Sequence, residues 1–445
     1  MSFQNIYSKK NLINLIILLI PLNYIAGNLM LNLNIIILIF YVLFLFRLEV
    51  FKNKLSIIDK LIIIYFFYIV INGIFNNFFN LSLQNDNTVL IKSFLYTRFF
   101  ILYFVLKYLI KQDLINYKLL FFSFGFYCLF VSFDLIIQYS FGQDLFGFKG
   151  EGRRLGGPFG DEQIAGGFIQ RFFIFIPFSL FFFTNKIKNW KIQIIFLFML
   201  LICVLGIMIA GNRMPILLFI LSLTMVFVYQ KSLRKTLILL PFIIVGSYAY
   251  IANANINYTY HIKSALKGSN QIYDYAKTRI STGEIKLLNT YIKEIELGIL
   301  TWEENKYFGS GVKSFYRACA NINNSKIVKL NLEVLKREAK VNCNIHPHNY
   351  YIQILAELGI MGLFLSLFLF ILIFLKTVKK IHFTDDSNKK FMIIVPFFIT
   401  FITELFPLKT TGNFFTSTNA TFLFIIISFI VGLLEVRKNN YYDKK

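Results

Sequence analysis

The 445-residue chain is poor in the groups that build metal centres and disulfide scaffolds, with four cysteines and four histidines, and its 23 acidic residues are half its 46 lysines and arginines. Each scarcity excludes something. Four cysteines, of which Cys128 and Cys203 lie inside apolar runs, do not make a disulfide framework. His346 and His348 form a His-x-His pair, but no third ligand stands at a diagnostic spacing, so neither a metal nor a cofactor is expected. The net charge of +23 is scattered as short clusters between apolar runs, not gathered in a compact basic domain, which argues against a nucleic-acid partner. There is no internal repeat. No small-residue cleavage site follows Lys9 and Lys10, so the first apolar run is expected to remain as a helix.

What is abundant is apolar. The chain is 57% hydrophobic and 18% aromatic with a mean hydropathy of +0.62, the composition of an all-α polytopic membrane protein. About 12 runs approach the ~20 residues that a bilayer core requires. They lie near 11–27, 29–46, 57–76, 91–109, 118–138, 163–183, 192–210, 215–229, 236–253, 349–375, 391–407 and 418–435. Every second connection carries a basic cluster, such as Lys107, Lys111 and Lys118, or Lys376, Lys379 and Lys380. The positive-inside rule makes these connections cytoplasmic, with both termini inside.

The expected organisation is then helices 1–9 over 1–253, a large outer loop over 254–348 between helices 9 and 10, and helices 10–12 over 349–445. A Gly/Arg-rich outer loop spans about 138–163 and contains Arg153 and Arg154. Within the large loop, Leu287, Leu288, Tyr291, Ile292, Ile295 and Ile299 have the spacing of an amphipathic helix that packs on the bundle. Cys319 and Cys343 share that loop, 24 positions apart, and can form a disulfide if it is extracytoplasmic; two unrelated loop thiols are the alternative.

Ionisable residues inside membrane spans are costly and are functional candidates by default. Arg98, Asp134, Arg171, Arg213, Glu357 and Glu404 all fall in the outer halves of their spans, whereas a transporter would place such groups on both sides of the midplane. Arg98 or Arg171 can pair with Asp134 or Glu357. In GNRMP, Arg213 precedes Pro215 at a helix start, where unpaired amides and the dipole favour an anion. His348 precedes Asn349, a good N-cap for the tenth span, and a helix N-terminus disfavours the imidazolium, leaving a ring able to accept a proton.

HPHNYYIQILAELGIMGLF (346–364) resembles the signature of the O-antigen ligase and O-antigen polymerase superfamily, in which a His-Asn pair opens a membrane helix followed by a Glu-Leu-Gly turn. GRRLGGPFGDEQIAGGF after QYSFGQDLFGF, GNRMPILLF and FGSGVKSFYRAC are similar to the family's earlier loop, helix-junction arginine and pre-histidine segment. The arginine motif here begins Gly-Asn where many members have small hydroxyl residues. The resemblance implies an inverting, metal-independent glycosyltransferase of the bacterial inner membrane with its site facing the periplasm. The donor would be a glycan on undecaprenyl pyrophosphate; the acceptor would be lipid A core or a lipid-linked glycan. His348 would be the base, Arg213 the pyrophosphate ligand, and Arg153 or Arg154 an aid to donor binding. Arg98, Arg171, His346, Asn349 and Glu357 complete the expected substrate-binding set, with Glu357 expected to pair with an arginine. The competing class is a flippase or other transporter of the same lipid-linked glycan.

Overall fold

The computed structural model describes residues 3–52, 54–79, 87–150, 154–183, 190–254, 277, 290–322, 343–382, 389–410 and 412–436. Regular structure among them is helical: α1 (Phe3–Leu18), α2 (Ile20–Ile25), α3 (Asn28–Phe46), α4 (Ile57–Phe79), α5 (Thr88–Tyr96), α6 (Arg98–Lys111) and α7 (Tyr117–Phe141). There follow α8 (Ala165–Phe172), α9 (Phe175–Phe183), α10 (Trp190–Ile209), α11 (Arg213–Tyr229), α12 (Arg234–Leu237) and α13 (Leu240–Ala254). The chain closes with α14 (Thr290–Glu304), α15 (Phe315–Ala320), α16 (Tyr350–His382), α17 (Lys389–Glu404) and α18 (Ser417–Glu435). It is an all-α, multi-pass membrane protein.

Among the described residues, eight helices are long and apolar enough to cross a membrane, and Ala165–Leu180, Arg213–Tyr229 and Ile393–Glu404 are shorter apolar helices. Two of the expected passes are interrupted. Pro21 sits in the first turn of α2 and lacks an N–H to continue α1, so the first run is split at Leu19. The run expected at 163–183 breaks into α8 and α9 at Phe173 and Ile174.

α18 is the central helix: 78% of its apolar window is buried, against 22–50% for the other seven long spans. Its entry is set by Thr416, whose hydroxyl accepts from the Asn419 N–H. It packs along α6, α17, α16 and α3. Aromatic rings fill the contacts, with Phe397 stacked on Phe429 at 4.4 Å and Phe99 on Phe424 at 6.0 Å. Between membrane helices such close packing, together with interhelical hydrogen bonds, takes the place of hydrophobic drive.

α6 and α18 run parallel, which defines the two ends of the bundle. At one end Arg98 Nη2 donates to Ser417 Oγ at 2.8 Å; at the other, Lys107 and Lys111 Nζ reach Glu435 at 2.7 and 3.2 Å. Nineteen residues of helix separate these ends by roughly 27 Å. The far end corrects the expected one-sided distribution of buried charge. Lys107, read from sequence as a topology lysine, is buried, and its ammonium also bonds Asp59 Oδ1 at 2.6 Å, where the Tyr103 hydroxyl joins it. Periodicity conceals such a group, because a lysine at a helix end reads as solvated until two acids from other helices are seen to meet it.

Candidate functional site

The site is built at the end of the bundle where α16 begins. Asn349 caps α16, its side-chain oxygen accepting from the N–H groups of Tyr351 and Ile352 at 3.0 and 3.2 Å. Its amide donates to the carbonyls of Pro407 and Lys409, so the same side chain holds the 405–416 connection against the helix start. Gln353, one turn on, donates to Asn413 Oδ1 and accepts from the Phe414 N–H, both at 2.8 Å.

His348 stands immediately before this cap with φ of +55°, a left-handed conformation uncommon in a non-glycine residue. Pro347 on one side, packed near Gly298 of α14, and the cap on the other hold it there. Its ring lies 4.3 Å from that of His346. Burial lowers the pKa of both rings. His346 falls to about 4, burial being the larger cause and the neighbouring ring the smaller. Among the described residues, buried His346 Nε2 has no hydrogen-bond partner. The pair is therefore held neutral, and neutral imidazole is the form that takes up a proton.

The Glu-Leu-Gly segment breaks α16. Gly359 has φ of +69°, and a Cβ there would lie 2.2 Å from the Tyr307 carbonyl oxygen; Gly309, at φ of +68°, would clash in the same way with the backbone of Glu357. Only glycine allows this crossing. The backbone bonds follow from it: Ser310 N–H to the Ala356 carbonyl at 3.0 Å, Gly311 N–H to that of Glu357 at 2.7 Å and Ile360 N–H to that of Lys306 at 2.9 Å. Two segments noted separately in the sequence, FGSG and ELG, are thus one joint.

Glu357 corrects an expectation. Its carboxylate accepts from the backbone N–H of Lys313 at 2.6 Å, that of Phe315 at 3.4 Å and Gln353 Nε2 at 3.2 Å, so it latches the α15 segment to α16 instead of pairing an arginine. Among the described residues, Arg171 pairs with Glu404, Nε to Oε2 at 3.0 Å and Nη2 to Oε1 at 2.7 Å. Neither Asp134 nor Glu357 fills that place. Lys409 Nζ at 2.8 Å and the Tyr350 hydroxyl at 2.6 Å also reach Glu404 Oε1, and Arg171 donates to Asn419 at 2.6 Å. Asp134 instead accepts from the Leu145 N–H at 2.9 Å.

Arg154 and Arg213 are brought to one place through Gln163. Arg154 Nη1 donates to its side-chain oxygen at 3.3 Å, and Asn212, the residue before Arg213, donates to its carbonyl at 3.2 Å. Gly166 of α8 lets the 211–213 turn approach, since a Cβ would lie 2.9 Å from Asn212 Oδ1. Arg153 lies outside the described residues. A continuous set of contacts joins the parts: His348 to the α16 cap, Tyr350 to Glu404, Glu404 to Arg171 on α8, and the start of α8 to Arg154 and Arg213.

Several groups escape sequence reading. Lys313, at φ of +57°, sits where burial first and the Arg98 guanidinium second lower its pKa; Lys92 Nζ reaches its carbonyl. Lys409 is pushed down to about 8 by burial, partly offset by Glu404. A lysine in a short connection that the positive-inside rule would place outside is the available signal for Lys409; none marks Lys313. Among the described side chains of α14, from Lys293 onward, the buried ones include Glu294, Glu296, Leu297, Leu300 and Thr301, not the expected Ile295 and Ile299; those of Tyr291 and Ile292 lie outside the described set. The register differs because α14 packs on α16 and α15 around a second small core that includes Phe315, Cys319 and Cys343. Burial raises Glu294, and raises Glu296 to about 7; Asn344, two residues before His346, donates to Glu294 at 2.6 Å. The residues 283–289 of the expected amphipathic stretch lie outside the described set.

Residues 197–367 match the family model described as O-antigen ligase. The chain carries an O-antigen ligase family domain. No curated protein matches the chain significantly. The ligase-family domain holds Arg213, Lys313, His346, His348 and Glu357, while Arg98, Arg154, Arg171, Glu404 and Lys409 come from helices and connections on either side of it. Neither portion alone assembles the charged site.

Cys319 and Cys343 are joined by a disulfide, with Cα atoms 6.1 Å apart, inside the second core of the ligase-family domain. Closing a loop of 24 positions restricts the unfolded chain by about 3 kcal/mol. The Cys319→Ser/Cys343→Ser variant is expected to lose about that stability in the segment bearing the histidines. Thermal unfolding in detergent checks it: reductant should lower the midpoint of the wild type and leave the variant unmoved.

Proposed function

We propose that the protein is an inverting glycosyltransferase of the bacterial inner membrane. It would move a glycan from undecaprenyl pyrophosphate to a sugar hydroxyl of lipid A core or of a second lipid-linked glycan, at the periplasmic face. The observation that carries this reading is a half-buried imidazole set directly before the Asn349 cap at the mouth of α16, in the same end of the bundle as Arg98, Arg154, Arg213 and Lys313. In the reaction the acceptor oxygen attacks the anomeric carbon from the face opposite the pyrophosphate. His348 takes the hydroxyl proton, the bond from anomeric carbon to phosphate oxygen breaks, and the cationic groups hold the departing pyrophosphate. Guanidinium groups suit that load because each can pair two phosphate oxygens. Arg171, already bonded to Glu404 and Asn419, serves as scaffold for the start of α16 and α18.

The test is reconstitution in liposomes with lipid-linked donor and acceptor both on the site's face. A new glycosidic bond is the expected result; its absence, with donor redistributed between leaflets, would favour the flippase. The buried Asp59–Lys107–Glu435 network gives that second reading one support, since charge is present at both ends of the bundle. Ligase and polymerase separate by the glycans of a deletion strain: core without added glycan for the former, core bearing a single repeat for the latter.

A pH prediction follows. An ordinary imidazole titrates near 6.5, and burial places His348 lower. Transfer that uses the neutral ring is therefore expected to stay level as pH falls to 6.5 and to decline only below it. An acid limb centred above 6.5 in the wild type would contradict the assignment. Because the unfolded rings take up protons near 6.5 and the folded rings only at lower pH, acidification through that window also destabilises the fold.

A further inference from the structure

At the end of the bundle away from the histidines, the last turns of α16, the start of α4 and the last turn of α18 line an open-sided cavity of about 390 Å³. Lys376, Lys379 and Lys380 line it from α16, facing Ser56, Glu435 and an apolar wall of Ile58, Val431 and Leu434. The spacing i, i+3, i+4 puts the three ammonium groups on one helix face. Gathering them costs mutual repulsion, and the carboxylate at hand is already engaged, since Glu435 is shared by Lys107 at 2.7 Å and Lys111 at 3.2 Å. Lys376 and Lys379 have no ion pair among the described residues. A cavity with three cations on one wall and aliphatic side chains on another is complementary to an anion that carries an apolar body. Ile371, Phe374, Leu375 and Val378 continue along the exposed side of the same helix, a track on which acyl chains can lie.

We propose that this cavity binds the headgroup of an acidic phospholipid, with the phosphate among Lys376, Lys379 and Lys380 and the acyl chains against α16 and Leu434. Basic pockets between membrane helices hold anionic lipids by this combination of charge and hydrocarbon contact. A bound lipid would join the ends of α4, α16 and α18, and α18 is the helix whose other end presents Ser417 and Asn419 to the arginines of the site.

The experiment uses the full chain, purified in detergent and stripped of lipid. Phosphatidylglycerol and phosphatidylcholine of identical acyl chains are titrated while the thermal-unfolding midpoint and bound lipid, by native mass spectrometry, are recorded. Phosphatidylglycerol is expected to raise the midpoint and bind, with phosphatidylcholine doing neither. The Lys376→Gln/Lys379→Gln/Lys380→Gln variant should weaken phosphatidylglycerol binding on the order of 10- to 100-fold, while the corresponding triple arginine variant retains it. Lys231→Gln/Lys235→Gln, outside the cavity, should bind as wild type. Equal response to the two lipids, or undiminished binding by the glutamine variant, overturns the proposal. So does an equal loss in the Lys231/Lys235 control, or reproduction of the shift by millimolar inorganic phosphate, which would identify a free-anion site. If the triple variant folds poorly, Lys379→Glu at an exposed position carries the same test, with weakened binding expected and wild-type binding fatal.

Discussion

Replacing His348 by alanine is expected to lower glycan transfer by about 10²- to 10⁴-fold, the usual contribution of a positioned general base, without loss of the inserted, folded protein. The ring is half-buried, and Asn349, Gln353 and the 405–416 connection hold the start of α16 whether or not the imidazole is present. Alanine at φ of +55° is more strained than histidine, so His348→Asn is the better control: asparagine tolerates the left-handed region and has no comparable base. Both variants should bind lipid-linked donor and fail to turn it over in a reconstituted assay. Near-wild-type turnover by either would remove His348 from the proton transfer and leave the neighbouring His346, its ring 4.3 Å away, as the group to examine.

The second large effect concerns stability. Glu404→Gln is expected to destabilise the protein by about 3–5 kcal/mol, because Arg171 and Lys409 would then be buried without their counter-charge. Tyr350, at the first turn of α16, would then donate to a neutral amide in place of a carboxylate, a weaker bond, so the histidine end should loosen slightly as well. Exchanging all three charges for apolar residues of similar volume, Arg171→Met/Glu404→Leu/Lys409→Met, is expected to recover part of the loss, since desolvation and attraction nearly cancel in buried ion pairs. Denaturant unfolding of the three proteins decides the matter. A Glu404→Gln protein as stable as the wild type would show that water or another group satisfies the cations.

The single-residue signals in the sequence were chemical ones. A His-x-His-Asn opening before an apolar run located the mouth of α16, and GNRMP located the start of α11, because capping and helix-start preferences act within one turn. Arg171 and Glu404 were each noticeable as ionisable residues in apolar runs, yet their pairing was not, since 233 positions separate them. Lys107 misled for the same reason: only contact with Asp59 and Glu435, from two other helices, turns an apparent topology signal into a buried ion pair.

By itself, then, the sequence determined the all-α membrane architecture, the approximate positions of the helices, the histidine-bearing helix start and the kinship of residues 197–367 with O-antigen ligases. These depend on hydropathy, capping and local motif, which are written along the chain. Tertiary structure alone decided that Glu404 and not Glu357 holds Arg171, that Gly309 and Gly359 form one backbone crossing, that α14 buries two glutamates and that three lysines share a cavity with Glu435. Each of those is a meeting of residues far apart in sequence, settled by how the helices pack and by the cost of leaving a buried charge or backbone group without a partner.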